Sequence, residues 1–379
     1  MRITGHWLER AETQDVLACL TAGGWQALLV GGCVRNALIG AEVADVDIAT
    51  DARPETVTEL AKRAGFHVVP TGIDHGTVTV MSGGIPHEVT TFRRDVETDG
   101  RRAVVAFSDR IAEDAARRDF TMNALYAQAD GRVIDPLDGL PDLLARRLRF
   151  VGDAETRIRE DYLRILRFFR FHAWYGDPEG GLDPEGLAAC AALSDGLETI
   201  SRERIGAEMR KLLAAPDPAP AVAAMAQAGV LRQILPGADP RALAPLVHLE
   251  AGLAPRWQRR LAVLGGQDRG ALLRLSNPEK RQMVALDQAL SSLDPPAVLG
   301  WRLGAEGGAD AVLARAALTG ALPPGEWQAE VARGAAAEFP VKAADLPGLS
   351  GPALGRRLKE LEREWCSSGL RLTRDQLLA

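Results

Sequence analysis

Two acids one residue apart carry the first chemical signal in this sequence. Asp45 and Asp47 lie in "GAEVADVDIAT", residues 40–50, within an otherwise apolar run. Val43, Val46 and Ile48 are β-branched, so the run predicts a strand. Side chains alternate along a strand, which puts both carboxylates on one face and Val46 and Ile48 on the other. Two like charges so placed repel each other unless something compensates them. Water at an edge strand is one answer. A divalent metal is the other, because oxygen-only ligands suit Mg²⁺, which takes one or two carboxylates plus substrate phosphates.

The neighbouring residues bear on that choice. Upstream, "VGGCVRN" places Gly31 and Gly32 between a predicted strand and a predicted helix, where backbone N–H groups can approach a phosphate closely. Arg35 adds a fork for phosphate oxygens. Alone, a diglycine reads equally as a tight packing turn. Downstream, Glu88 in "HEVTTFR" falls on another predicted strand. Alone it is a surface acid; beside Asp45 and Asp47 it is the third carboxylate that two ions about 3.5–4 Å apart would need. "RRDFTMNAL", residues 117–125, reads in isolation as an ion-paired turn. In "EDYLRILRFFRF", residues 160–171, Asp161, Arg164, Arg167 and Arg170 recur every three residues. On a helix they form a drifting stripe, with Leu163, Ile165, Leu166 and Phe169 on the buried side. An acid and an arginine one turn apart present an acceptor and several donors, enough to read a base edge. An intrahelical salt bridge is the simpler alternative.

These residues need a scaffold of mixed type. "ALLVGG" predicts a strand ending at the diglycine, "CVRNALIG" a helix stopped by Gly40, and "DVDIAT" the next strand. "RPETVTELAKRAG" predicts a helix with Pro54 near its start and Gly65 at its end. "FHVVP", "GTVTVMSG" and "IPHEVTTFR" predict three further strands, and "RRDVETDGRRAVVAF" after them a loop. Beyond about residue 150 the strand signal disappears, and Ala, Leu and Arg dominate between Pro and Gly clusters. The last helix is expected from about Pro352, with Leu354, Leu358, Leu361 and Trp365 as one apolar stripe.

The chain has 379 residues, suited to two or three domains, with 46% hydrophobic and 25% charged residues. No signal-peptide core opens the sequence and no apolar run reaches roughly 18 residues, which predicts a cytoplasmic enzyme without membrane attachment. Cys19, Cys33, Cys190 and Cys366 have neither metal-ligand nor redox spacing, so free thiols are expected. Net charge is −6, which taken alone argues mildly against a nucleic-acid partner. Between residues 146 and 176, however, eight arginines face four acids, a local +4.

"GGCVRN", "DVDIAT", "EVTTFR", "RRDFTMNAL", "DPLDGLPDL", "EDYLRILRFFRF" and "SRERIGAEM" occur in the order and rough spacing of the class II nucleotidyltransferases. The sequence thus resembles the family of bacterial CCA-adding tRNA nucleotidyltransferases and poly(A) polymerases. The resemblance implies an α+β chain: a polymerase-β-like head with a mixed sheet (1–148), then a helical neck that selects the nucleotide (149–213), then a helical body and tail that hold tRNA (214–379). It implies that Asp45 and Asp47 bind two Mg²⁺ ions, with Glu88 as third carboxylate. It matches Gly31, Gly32 and Arg35 to triphosphate binding, and Arg118 to a nucleotide contact. It matches Asp161 and Arg164 to the amino-acid template for C and then A, and Arg167 and Arg170 to further nucleotide contacts. CTP, ATP and tRNA are the implied partners; no protein partner is inferable.

One position departs from the pattern: Asn36 stands where the family usually has Asp, which keeps an acceptor and loses a charge. No histidine is followed by Asp, so no phosphohydrolase activity is expected. The poly(A) polymerase alternative is disfavoured, because relatives of that kind carry a basic run where "FHVVPTGIDHGTVTV" has no arginine. The full-length stretch "RRDVETDGRRAVVAF" favours complete CCA addition over CC addition alone. A non-catalytic RNA-binding protein on the same scaffold has no need of Asp45, Asp47 and Glu88, all of which are present.

Overall fold

Short β-branched and apolar runs build the first part of the chain. A computed structural model describes residues 1–72, 76–99 and 102–379. In chain order the strands are β1 Ala27–Val30, β2 Asp47–Thr50, β3 His67–Gly72, β4 Thr77–Ser82, β5 Ile85–Thr91, β6 Arg93–Asp99, β7 Arg102–Phe107, β8 Tyr126–Ala127 and β9 Val133–Ile134. Seven form one sheet in the order β3-β4-β5-β2-β1-β8-β9. Strands β2 and β5 run parallel, and the other neighbours are antiparallel. This is the expected mixed sheet. The stretch expected as a loop after β5 is instead an antiparallel ladder of β6 and β7, with Gly100 and Arg101 outside the described residues, as is 73–75 within "FHVVPTGIDHGTVTV".

The central strands are covered on both faces, which is why β1 is buried at all four positions. The helix Ala11–Ala22 packs across β1, β4 and β5 with Val16, Leu17 and Leu20 buried. Phe92, Ala115, Tyr126 and Val151 gather with Leu28, Val30 and Ala49 in one core cluster. A second aromatic group joins the end of this half to the arginine-bearing helix Leu163–Tyr175: Phe150 stacks on Phe168 at 5.5 Å, and Phe120 lies 5.3 Å from Phe171. Tilted and stacked aromatic pairs of this kind add specific geometry to burial.

Contacts divide the chain into two compact units, Met1–Ile200 and Ser201–Ala379, and the expected neck, 149–213, runs across that division. Among the described residues the second unit is helical, with an isolated bridge between Ala238 and Gly265. The helices Pro296–Thr319 and Trp327–Ala335 approach closely at glycine: a Cβ on Gly334 would sit 1.8 Å from the Ala297 carbonyl oxygen. The unit also buries charge. Glu250 receives Arg259 Nε at 2.6 Å and Arg260 Nη2 at 2.7 Å, and Asp310 receives Arg259 Nη1 at 3.1 Å. The helix expected from Pro352 spans Gly351–Ser367, and its stripe packs inward, with Trp365 against Trp301 at 5.2 Å. It is not the last, since Arg374–Leu378 forms one more turn of helix.

Candidate active site

Strand register brings two of the three predicted acids together. Asp47 on β2 is the direct partner of Glu88 on β5, and neighbouring positions of a parallel pair project to the same face. Val46 and Ile48 are buried while Asp45 is exposed and Asp47 half-buried, so the alternation holds. The strand itself starts later than expected: β2 begins at Asp47, and Asp45 lies in the irregular segment before it. The antiparallel ladder with β1 pairs Ile48 with Leu29, and β1 ends at Val30 where the chain turns through Gly31. Burial raises the Asp47 carboxyl to about 6, and the neighbouring Glu88 and Asp45 charges add to this, while Arg118 opposes it. Asp47 therefore feels the charge of both neighbouring carboxylates.

The donor set is oxygen only and short of positive charge, which fits a hard divalent cation. Among the described residues no three His, Cys, Asp or Glu side chains are gathered as ligands to one ion. That is compatible with a cation that takes one or two carboxylates and fills its shell with phosphate and water.

Gly31 adopts φ +70 and accepts no side chain: a Cβ there would be strained, and would lie 3.3 Å from Arg118 Nη1. Arg118 is held facing this turn. Its Nε donates to the Tyr126 hydroxyl at 3.1 Å and its Nη2 pairs with Asp114 at 3.1 Å, while the Tyr126 hydroxyl donates to Asp114 at 2.7 Å. Gly32 opens the helix Gly32–Leu38.

Arg35 is not the open fork that the sequence suggested. It is buried, and at least four of its five N–H groups are taken. Nε and Nη2 donate to Asn36 Oδ1 at 3.1 and 2.9 Å, Nη1 to Asn123 Oδ1, and Nη2 to the Tyr175 hydroxyl at 2.8 Å. The guanidinium carbon also lies 3.9 Å from the Tyr175 ring centre. Burial lowers its pKa, with Tyr175 and Asp119 acting in the other direction.

The arginine stripe is also rearranged. Asp161 is not on the helix: it separates the helices Ala154–Glu160 and Leu163–Tyr175 with extended φ −155, and its Oδ1 accepts the Leu163 N–H at 3.1 Å. Arg164 bonds to Glu160, to the Arg157 carbonyl at 2.7 Å and to the Arg117 carbonyl at 3.3 Å. The i,i+4 acid thus holds it, not the i,i+3 acid. Arg167 Nε donates to Asp119 Oδ2 at 2.7 Å, and Arg170 lies 4.3 Å from the Phe171 ring centre. Burial pushes Asp119 upward, but Arg167 and Asn123 outweigh it and hold the carboxyl below its usual range. Asp114, Asp119, Asn123, Tyr126 and Tyr175 were not predicted as site residues. Asp119 and Asn123 lay within a motif already singled out; Tyr175, 140 positions from Arg35, gave no local signal.

The family model "Poly A polymerase head domain" matches residues 27–149, and "Probable RNA and SrmB- binding site of polymerase A" matches 181–241. The solved CCA-adding enzyme of Bacillus stearothermophilus, in complex with CTP, is 33% identical at a TM-score of 0.75, covering 94% of this chain and 92% of that one. The chain belongs to the class II CCA-adding enzyme and poly(A) polymerase family. Curated family relatives include the human mitochondrial CCA tRNA nucleotidyltransferase 1, 44% identical over 49% of this chain, and the CCA-adding enzyme of Leuconostoc citreum, 43% identical over 56%. The chain spans about half the length of these two relatives, 43% and 52% respectively. Within this family fold, no described helix is long and apolar enough to cross a membrane.

Proposed function

We propose that this chain is a CCA-adding tRNA nucleotidyltransferase that extends tRNA 3′ ends with C, C and A from CTP and ATP. The observation that carries this reading is the pairing of Asp47 with Glu88, with Asp45 close enough to raise Asp47 further and Arg118 opposing. The whole-chain similarity to a CCA-adding enzyme holding CTP supports the choice of substrate class.

In this reading the terminal ribose hydroxyl attacks the α-phosphate, the bond to the β-phosphate breaks, and diphosphate leaves. Asp45 and Asp47 would hold Mg²⁺, two ions in our assignment, which supplies charge neutralisation and an acidified hydroxyl when bound. Arg118, fixed by Asp114 and Tyr126, directs positive charge at the Gly31 turn, where the triphosphate would lie. Arg35, bonded to Asn36, Asn123 and Tyr175, braces the helix that follows that turn. Asp161, Arg164, Arg167 and Arg170 occupy the place of nucleotide selection, with Glu160 and Asp119 orienting two of the arginines. The second unit and the remaining helices would hold tRNA.

The test is incubation with tRNA lacking its 3′ end, offering CTP and ATP separately and together, and sizing the products. CCA addition requires two residues from CTP alone and a third only with ATP. Long tails from ATP alone would instead establish the poly(A) polymerase reading, which shares the head domain. Asp45→Ala and Asp47→Ala should each lower addition by about a thousandfold, since the ions they hold are worth several kcal/mol in such reactions.

A further inference from the structure

A continuous line of hydrogen bonds runs through the first unit from the arginine-bearing helix to the segment that carries Asp45. Arg167 donates to Asp119, Asn123 Nδ2 donates to Asp119 Oδ1 at 3.0 Å, and Arg35 donates to Asn123 Oδ1. Arg35 then donates twice to Asn36 Oδ1, and Asn36 Nδ2 donates to the Glu42 carbonyl at 2.7 Å. The direction of every link is forced. Arginine only donates, an ionised carboxylate and a carbonyl only accept, and an amide can do both.

Asn36 is the step where the line reaches the acids. The segment from Ala41 to Val46 has no regular structure, and Ala41 and Glu42 at its start are both tied to Asn36: the Ala41 N–H donates to the Asn36 carbonyl at 2.9 Å, and the Glu42 carbonyl accepts from its side chain. Asp45 follows three residues after Glu42.

We propose that Asn36 is a positioning residue whose amide couples the Arg35 guanidinium to the Asp45 segment, accepting on one side and donating on the other. A carboxylate here would accept from Arg35 as well or better, yet would face the Glu42 carbonyl with no hydrogen to donate. Asn36 therefore supplies a link that a carboxylate at this position could not. Its bearing on catalysis rests on the function proposed above; the coupling itself does not.

The test uses the full chain as wild type, Asn36→Asp and Asn36→Ala, checked by thermal melting. Hydrogen exchange of the peptide covering residues 41–47 should quicken about three- to tenfold in both variants, the loss of one net hydrogen bond. Mn²⁺ binding in the presence of CTP, followed by electron paramagnetic resonance, should weaken by a similar factor in N36A. CTP affinity separates the two sides of the amide. It should stay within about twofold in N36D, which keeps the Arg35 acceptor, and fall several-fold in N36A. Exchange unchanged in both variants would overturn the proposal, as would N36D and N36A behaving alike in CTP affinity. If wild-type protein failed to extend tRNA, the proposed function would fall, while exchange and Mn²⁺ binding would still decide the coupling.

Discussion

Asp47→Asn should stabilise the metal-free protein while removing its activity. Burial first, and then the charges of Glu88 and Asp45, raise the folded Asp47 carboxyl from its ordinary 3.8 to about 6. At about 1.36 kcal/mol per pH unit this is roughly 3 kcal/mol of penalty on the ionised form. The sign follows from proton counting. Below the unfolded value both states are protonated and the penalty vanishes. Between that value and about 6 the folded state holds more protons, so stability falls as pH rises. Above about 6 the full penalty applies. Asn carries no charge at any pH and can donate to Glu88, at the expense of the Arg118 attraction.

The assay is urea denaturation in EDTA from pH 4 to pH 8. Wild type and D47N are compared. The two should converge near pH 4, and D47N should lead by about 1.5–3 kcal/mol at pH 8. Adding Mg²⁺ at about ten times its dissociation constant should return about 1.4 kcal/mol to wild type and little to D47N. A difference that does not change with pH, or a wild type more stable at pH 8 without metal, would refute the claim that burial and the neighbouring acids penalise the ionised Asp47 in the folded chain.

Three further outcomes follow from the geometry. Arg164→Ala should raise UTP and GTP misincorporation relative to CTP and ATP by about tenfold or more, and Glu160→Gln should follow it in part because Glu160 orients Arg164; equal loss of all four nucleotides would make Arg164 a structural residue. Binding of tRNA should fall as salt rises, and neutralising exposed Arg356, Arg357 and Lys359 together should flatten that slope, a cleaner test than deleting the helix, which would strip Leu361 and Trp365 from the core; an unchanged slope would remove this helix from the tRNA surface. Glu250→Ala should destabilise the second unit by about 3–5 kcal/mol, because Arg260 would lose its buried carboxylate and Arg259 would be left with Asp310 alone; equilibrium denaturation would show it, and a change under about 1 kcal/mol would deny Glu250 that role.

Period-two and period-3.6 patterns carried the first unit well. Strands β1 to β5 and the helices between them fall where β-branched runs and Gly or Pro punctuation put them, and the mixed sheet follows. One boundary failed where a partner strand ran out: apolar residues continue from Val43, but β1 stops at the Gly31 turn, so Asp45 has no partner on that strand. Spacing also missed the acid that holds Arg164. Glu160 and Asp161 were both within reach along the sequence, and periodicity could not show that Asp161 leaves the helix to bind the Leu163 N–H, a competition with helical bonding that Asp favours. The residues that set Arg35 were hidden for a different reason. Asn123 and Tyr175 lie 88 and 140 positions away, and only the fold brings them together. Asn36 marks the boundary of what a residue type can tell. Its neutrality was legible; its donation to Glu42 was not, because that needs the chain to turn back at Gly40, where φ is +70. An amide that reads along the sequence as a missing charge is, in three dimensions, an anchor on the segment that carries Asp45.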